Sequence, residues 1–302
     1  QYAKHTHLTS MAMYGGVDTE AQKERLIKGV DILVATPGRL LDLAHQRALH
    51  FDELKVMVLD EADRMVDMGF ADDIHKIIER LPANRQNLLF SATITDDVRA
   101  LAYDFSDRQM TDLAAEISIS PNVRAAANVK QWLITVDKDT KSALLSHLIN
   151  EQKWDQALIF TEKKHNAAKL VAQLEKRGIT ADSIHGDRSQ AMREKILAQF
   201  KSGELKYLVA TGVAARGLDI DELSRVVNYD LPFQPEEYIH RIGRTGRAGA
   251  SGEAISLVDM SDFKNLCAIE RRLKNIIERK EIAGLPVRKA VPESNLNYLK
   301  NK

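Results

Sequence analysis

Asp60, Glu61 and Asp63 stand directly after Lys55-Val56-Met57-Val58-Leu59, an apolar run rich in β-branched residues. Acids spaced in this way can serve phosphate chemistry. One carboxylate can hold a Mg²⁺ that carries nucleotide phosphates, and its neighbour can orient an attacking water. The same acids would also make an ordinary acidic turn capping the next helix, so the spacing by itself leaves both readings open. A second reactive pattern lies at Tyr238-Ile239-His240-Arg241-Ile242-Gly243-Arg244-Thr245-Gly246-Arg247. Arginines three apart, with glycine between them, can present two guanidinium forks to one phosphate. Brought in from a neighbouring domain, such a group stabilises transferring charge, which is typically worth about a thousandfold or more in rate. The glycines argue against a plain solvated basic helix end.

Smaller signals surround these two. Ser91-Ala92-Thr93 closes the run Gln86–Phe90, and its hydroxyls could bond the acids of a neighbouring strand or cap the helix starting near Asp96-Asp97. Gly15-Gly16 permits close backbone approach to a ligand, or is simply a turn. Thr36-Pro37-Gly38-Arg39 joins a strand to a helix, where amides, a hydroxyl and an arginine suit a phosphate oxygen. Gly212 and Gly217 have the spacing of a phosphate-cradling loop, but Leu218-Asp219 stand where Lys and Ser/Thr are required. A Walker A pattern occurs nowhere in the 302 residues. His5 and His7 have no third ligand nearby and read as surface residues.

The elements that must position these residues alternate. Lys55–Leu59 reads as a strand buried on both faces, and in an open parallel sheet ligands sit at the carboxyl ends of the strands, where Asp60 and Glu61 fall. Asp18-Thr19 caps a helix through about Lys28 that Gly29 ends, and Asp31–Ala35 is a strand. Further on, strands are expected at Val129–Val136, Ala157–Thr161, Ala181–His185, Tyr207–Thr211, Val226–Tyr229 and Ala254–Val258. Helices are expected at Lys141–Glu151, Lys163–Arg177, Gln190–Lys201, Pro235–Arg241 and Asp262–Glu278. Strand and helix in turn imply an α/β chain with parallel sheets covered on both faces. Periodicity fades between Met110 and Asn128, which divides the chain into a first domain (1–118), a linker (119–128), a second domain (129–283) and a short polar tail (284–302).

Length suits two domains, and the composition is that of a water-soluble chain: 44% hydrophobic and 28% charged, with no run long enough to cross a bilayer. One cysteine, Cys267, excludes an internal disulfide and a cysteine-based zinc site, and its apolar neighbours make it a small core residue. A reducing cytoplasm is the expected compartment. Net charge is zero, yet residues 1–118 carry 13 Lys+Arg against 20 Asp+Glu, and the remainder 30 against 23. If a polyanion binds, the second half should supply most of the counter-charge.

Taken in order, these segments resemble the DEAD-box RNA helicases of helicase superfamily 2, bacterial in style, over nearly the whole chain. Asp60-Glu61-Ala62-Asp63 is similar to the naming motif, and Ser91-Ala92-Thr93 to the coupling motif after it. The resemblance implies two RecA-like parallel-sheet domains in tandem, the first N-terminally incomplete, with ATP and Mg²⁺ as cofactors. It implies Asp60 for Mg²⁺ and Glu61 for the hydrolytic water, and Arg244 and Arg247 for the γ-phosphate. Asp219, with Gly217, would face the ribose, and Asp63 would bond Ser91, Thr93 and His240. RNA contacts are implied at Gly15, Gly16, Thr36, Pro37, Gly38, Arg39, Phe160, Thr161, Gly186, Gln190, Arg193 and Thr211. The partner would be single-stranded or short duplex RNA, bound without sequence preference through phosphates and 2′-hydroxyls. The adenine-reading and Walker A segments of the family are not found here, so this segment alone is expected to hydrolyse ATP negligibly. Gly212 stands where the family usually has Asp, and Gly212→Asp is expected to raise activity in a completed protein. A nucleotide-independent RNA-binding or annealing module is the rival reading; a protein-interaction module has no positive signal.

Overall fold

In the computed structural model every strand pairing is parallel among the described residues, which are 5–16, 18–105, 115–117, 129–215, 218, 220, 223–246, 252–282, 284, 286–294 and 296. The chain divides into two compact units, 1–119 and 120–302. The expected linker, 119–128, lies outside the described residues.

In the first unit, β1 (Ser10–Met13) pairs with β2 (Ile32–Ala35), and β3 (Val56–Leu59) with β4 (Gln86–Leu89). Between the strands run α1 (Thr19–Ile27), α2 (Pro37–His45), α3 (Ala62–Asp67) and α4 (Ala71–Ile78), and α5 (Asp96–Phe105) follows β4. Asp18 caps α1 by accepting from the Glu20 N–H, and Gly29 follows it in the left-handed region at φ 84°. Pro37 opens α2, where its missing N–H costs nothing. Leu59, Ala62, Ile74, Val98, Leu101 and Phe105 form the core beneath β3.

The expectation that β3 is buried on both faces is corrected. Leu59 is buried, but Val56 and Val58 are 48% and 49% exposed, as are Ile32 (44%) and Val34 (65%) on β2. Side chains two apart share one face of a strand. The helices packed by the core of this unit cover the Leu59 face of β3 and leave the Val56–Val58 face open.

His75 links α4 to α5. Its Nε2 lies 2.7 Å from an Asp104 carboxylate oxygen and its Nδ1 2.7 Å from the Ala71 carbonyl oxygen. Both partners are acceptors, an arrangement that favours the imidazolium form. The Asp104 hydrogen bond chiefly raises its pKa above the ordinary histidine value. A raised folded-state pKa gives stability that is full below the unfolded value and lost as pH rises through the folded one. His75→Gln is therefore expected to reduce thermal stability at pH 5.5 and to matter less at pH 9. Melting curves at the two pH values check this; an equal loss at both would remove the charge argument.

The second unit has one seven-stranded sheet, ordered β11 (Glu278–Arg279), β5 (Val129–Thr135), β10 (Gly252–Val258), β9 (Arg225–Asn228), β6 (Ala157–Thr161), β8 (Tyr207–Thr211) and β7 (Ala181–Ile184). Its helices are α6 (Lys141–Glu151), α7 (Lys164–Glu175), α8 (Gln190–Lys201), α9 (Gly212–Ala215), α10 (Pro235–Ile242) and α11 (Phe263–Leu273). Strands β6 and β8 are buried throughout, as near-continuous apolar runs in a parallel sheet should be. On β5, Trp132 and Ile134 enter one core layer and Leu133 another. Cys267 is a buried free thiol whose pKa burial pushes up, in keeping with a core role.

The last helix is shorter than its expected span of 262–278. Lys274 turns left-handed at φ 55° and ends α11, and the chain then adds β11 beside Trp132–Leu133. Lys280 sits 4.0 Å over the Trp132 ring.

Candidate functional site

Parallel pairing brings the reactive residues of each unit to the carboxyl ends of its strands. In the first unit Leu59 is in register with Leu89, so the acids after β3 and the hydroxyls after β4 emerge side by side. The turn is fastened at its base: Phe90 N–H donates to the Leu59 carbonyl (2.8 Å), and Ala62 N–H to the Phe90 carbonyl (3.0 Å). Glu61 has φ 52° and ψ 47°, a left-handed conformation that carries strain in a residue other than glycine and concentrates at functional turns.

The three acids then divide. Asp63 is buried, and its carboxylate accepts from Thr93 N–H (3.0 Å), Thr93 Oγ1 (2.7 Å) and Arg64 N–H (3.0 Å). Its own N–H donates to Ser91 Oγ (3.2 Å), which donates to the Thr93 carbonyl (2.7 Å). Asp60 and Glu61 are exposed. Asp60 accepts from Glu61 N–H (2.9 Å), and Glu61 is paired with Arg64 at 2.7 Å. Among the described residues no group of three His, Cys, Asp or Glu could cage a metal. An exposed strand-end carboxylate does fit Mg²⁺ in its phosphate-borne form, where one or two carboxylates suffice and nucleotide oxygens and waters complete the octahedron.

On the neighbouring pair Met13 is in register with Ala35, which brings Gly15-Gly16 and Thr36–Arg39 to one end of that sheet. Gly16 is left-handed at φ 84°. Thr36 is the residue before α2, and Arg39 bonds Thr19 Oγ1 and approaches Asp42 at 3.8 Å.

In the second unit Thr161 is in register with Thr211, and Ile184 with Ala210, so Phe160-Thr161, Gly186 and Thr211 share one end of the sheet. Gln190 and Arg193 open α8 just beyond, where Arg193 Nη2 reaches the Ala214 carbonyl (3.3 Å). The Phe160, Thr161 and Thr211 side chains are buried, and among the described residues Thr161 Oγ1 has no hydrogen-bond partner. His240 lies in α10, and Arg244 follows it with Nη1 donating to the Leu218 carbonyl (3.2 Å). Gly217, Asp219 and Arg247 lie outside the described residues.

Two charged centres were not singled out from the sequence. Arg241, one of the three spaced arginines, points inward at 2% exposure. Its Nη2 meets Glu162 at 2.5 Å and Glu237 at 2.8 Å, its Nη1 meets the Asp230 carbonyl at 2.8 Å, and it stacks 5.0 Å over Phe160. The i,i+4 spacing of Glu237 and Arg241 was a readable hint; the Glu162 contact, 79 residues away, was not. Lys141 is buried between Asp259 (3.0 Å) and Asp262 (2.8 Å), with the Tyr229 carbonyl at 3.2 Å.

Residues 1–101 match the DEAD/DEAH box helicase family, and residues 140–249 match the helicase conserved C-terminal domain. The chain is 44% identical over 273 residues to the ATP-dependent RNA helicase RhlB of Pseudomonas putida, covering 89% of this chain and 67% of that protein. It is 38% identical over 302 residues to the RNA helicase CrhR of Synechocystis, covering all of this chain and 60% of that one. It therefore spans about three fifths to two thirds of the length of these relatives. Among solved structures it is similar to S. cerevisiae Dbp5 bound to RNA and ADP BeF3, with 33% identity and a TM-score of 0.75 over 91% of this chain and 71% of that one.

Proposed function

The chain belongs to the DEAD-box helicase family, and from that premise we propose that it serves an ATP-dependent RNA helicase that remodels RNA by ATP-driven closure of two RecA-like units. The observation that carries this reading is the Asp63 carboxylate gripped by Thr93 while Asp60 and Glu61 stay outside. One acid ties two strand ends into a single stiff piece, and two remain for nucleotide chemistry.

Asp60 would hold Mg²⁺, which supplies charge neutralisation at the β- and γ-phosphates when bound. Glu61 would exchange its pairing with Arg64 for an attacking water. Arg244 and Arg247 would serve the γ-phosphate, Asp219 and Gly217 the ribose, and His240 the coupling to Asp63. The RNA would lie along the carboxyl ends of the strands, at Gly15-Gly16 and Thr36–Arg39 in one unit and at Gly186, Gln190, Arg193 and Thr211 in the other. Phe160 and Thr161 are enclosed, so their part is to shape the backbone that meets the phosphates. Backbone and phosphate contacts position a strand without reading its sequence.

Residues 1–302 contain no Gly-rich Lys-Ser/Thr loop, and the β- and γ-phosphates would lack the lysine and amides that usually cradle them. Assayed alone, they are expected to bind single-stranded RNA while releasing phosphate from ATP no faster than background. Joined to the phosphate-cradling segment of a relative, they should gain RNA-stimulated hydrolysis that Glu61→Gln removes. Hydrolysis by 1–302 unaided would overturn the dependence on that loop. A chimera that binds RNA but never hydrolyses ATP would favour the nucleotide-independent annealing module.

A further inference from the structure

Gly212 follows Thr211 at the end of β8 and opens α9. A Cβ at this position would fall 1.7 Å from Glu237 Oε1, 2.8 Å from the Glu237 carboxyl carbon and 3.4 Å from Arg241 Nη2. A side chain at 212 would therefore displace the end of the Glu237 side chain. The space is filled by a carboxylate that is itself held, since Glu237 Oε1 accepts from Arg241 Nε (3.1 Å) and Nη2 (2.8 Å). Arg241 then gives further donors to Glu162 and the Asp230 carbonyl, so α10 is tied to the segments that follow β6 and β9.

We propose that Glu237 is a positioning residue paired with Gly212: its carboxylate seats Arg241 under the ends of β6, β8 and β9, and that carboxylate can be carried at 237 or at 212 but not at both. Glu237 can leave its place only by abandoning a buried guanidinium. If it stays, an acid introduced at 212 brings a third carboxylate to a place where Glu162 and Glu237 already share one arginine. Buried like charges at such distances cannot all remain ionised. On this proposal Gly212→Asp is expected to cost stability and RNA affinity while Glu237 is present, the opposite of the gain that the resemblance implies. An acid on the shorter side chain at 212, with 237 truncated, would meet Arg241 from the position that Glu237 now occupies.

The test is a double-mutant cycle on the 302-residue chain with Gly212→Asp, Glu237→Ala and the two combined. It reads the urea midpoint by tryptophan fluorescence and the affinity for a labelled single-stranded oligoribonucleotide, at a temperature where all variants are folded. The RNA readout rests on the helicase reading above; the midpoint does not. Each single change is expected to weaken RNA binding by about tenfold and to lower the midpoint, and the pair to recover most of both. Recovery of RNA affinity separates a positioning role from general destabilisation. Additive losses in the pair, or a Gly212→Asp chain that behaves as wild type, would overturn the proposal. A wild-type chain that binds no RNA would instead sink the helicase reading, and the midpoints would still decide the pairing.

Discussion

Lys141→Met is expected to lower the unfolding free energy of the 120–302 unit by about 3–5 kcal/mol, the usual cost of removing one partner from a buried ion group. Lys141 lies between two carboxylates and is 2% exposed. Burial by itself would lower the pKa of its ammonium, but Asp262 and Asp259 more than offset that and raise it. Without the lysine, Asp259 keeps its bond from Ser261 N–H (2.8 Å) and Asp262 its bond from Asp259 N–H (3.0 Å), yet among the described residues neither keeps a counter-charge. Asp262 is already pushed up by burial with the lysine present. Removing Lys141 raises it further, so protonation relieves the variant and its deficit should shrink as pH falls through the Asp262 range. Both tryptophans, Trp132 and Trp154, lie in this unit, so fluorescence reports it directly. A urea midpoint lower by about 1–2 M at pH 7, with unchanged slope, is the expected result. A midpoint within about 0.2 M of wild type would mean that water reaches the triad.

The Lys141 triad also shows where the sequence stops being legible. Lys141–Glu151 is readable as a helix and Ala254–Val258 as a strand, from local periodicity and β-branched runs, and the structure has both. Nothing local says that the first residue of that helix meets acids more than a hundred positions later. Lysine is ordinarily an exposed residue, and only the parallel order β5–β10 brings Lys141 to Asp259. The acids at 60, 61 and 63 were legible as a cluster, because strand-then-acid is a local pattern. Their division into one enclosed and two exposed carboxylates was not, since it depends on hydroxyls about 30 residues away. β3 was misread for a related reason. An apolar run predicts burial on both faces only where helices cover both, and coverage is a property of the unit. The end of α11 was missed because Lys274 and Asn275 lack the glycine that usually announces such a turn, and the left-handed residue there is a lysine.

Arg241→Met should match the Lys141 change in stability, at about 3–5 kcal/mol, and should also disturb RNA binding. It removes the guanidinium that Glu162 and Glu237 share and that stacks on Phe160. The more informative variant is Arg241→Lys, which retains the charge. A planar guanidinium reaches Glu237, Glu162 and the Asp230 carbonyl in three directions at once, and a single ammonium on a flexible stem cannot. If charge alone mattered, lysine would restore most of the stability. If the fork geometry ties the strand ends, lysine should recover roughly half of it and little of the RNA affinity. Equilibrium unfolding and RNA titration of the three chains separate these cases, and full recovery of both by lysine would remove the geometric argument. The fork geometry is expected to win, because the three acceptors lie just after β6, just after β9 and within α10, and one planar group joins all three.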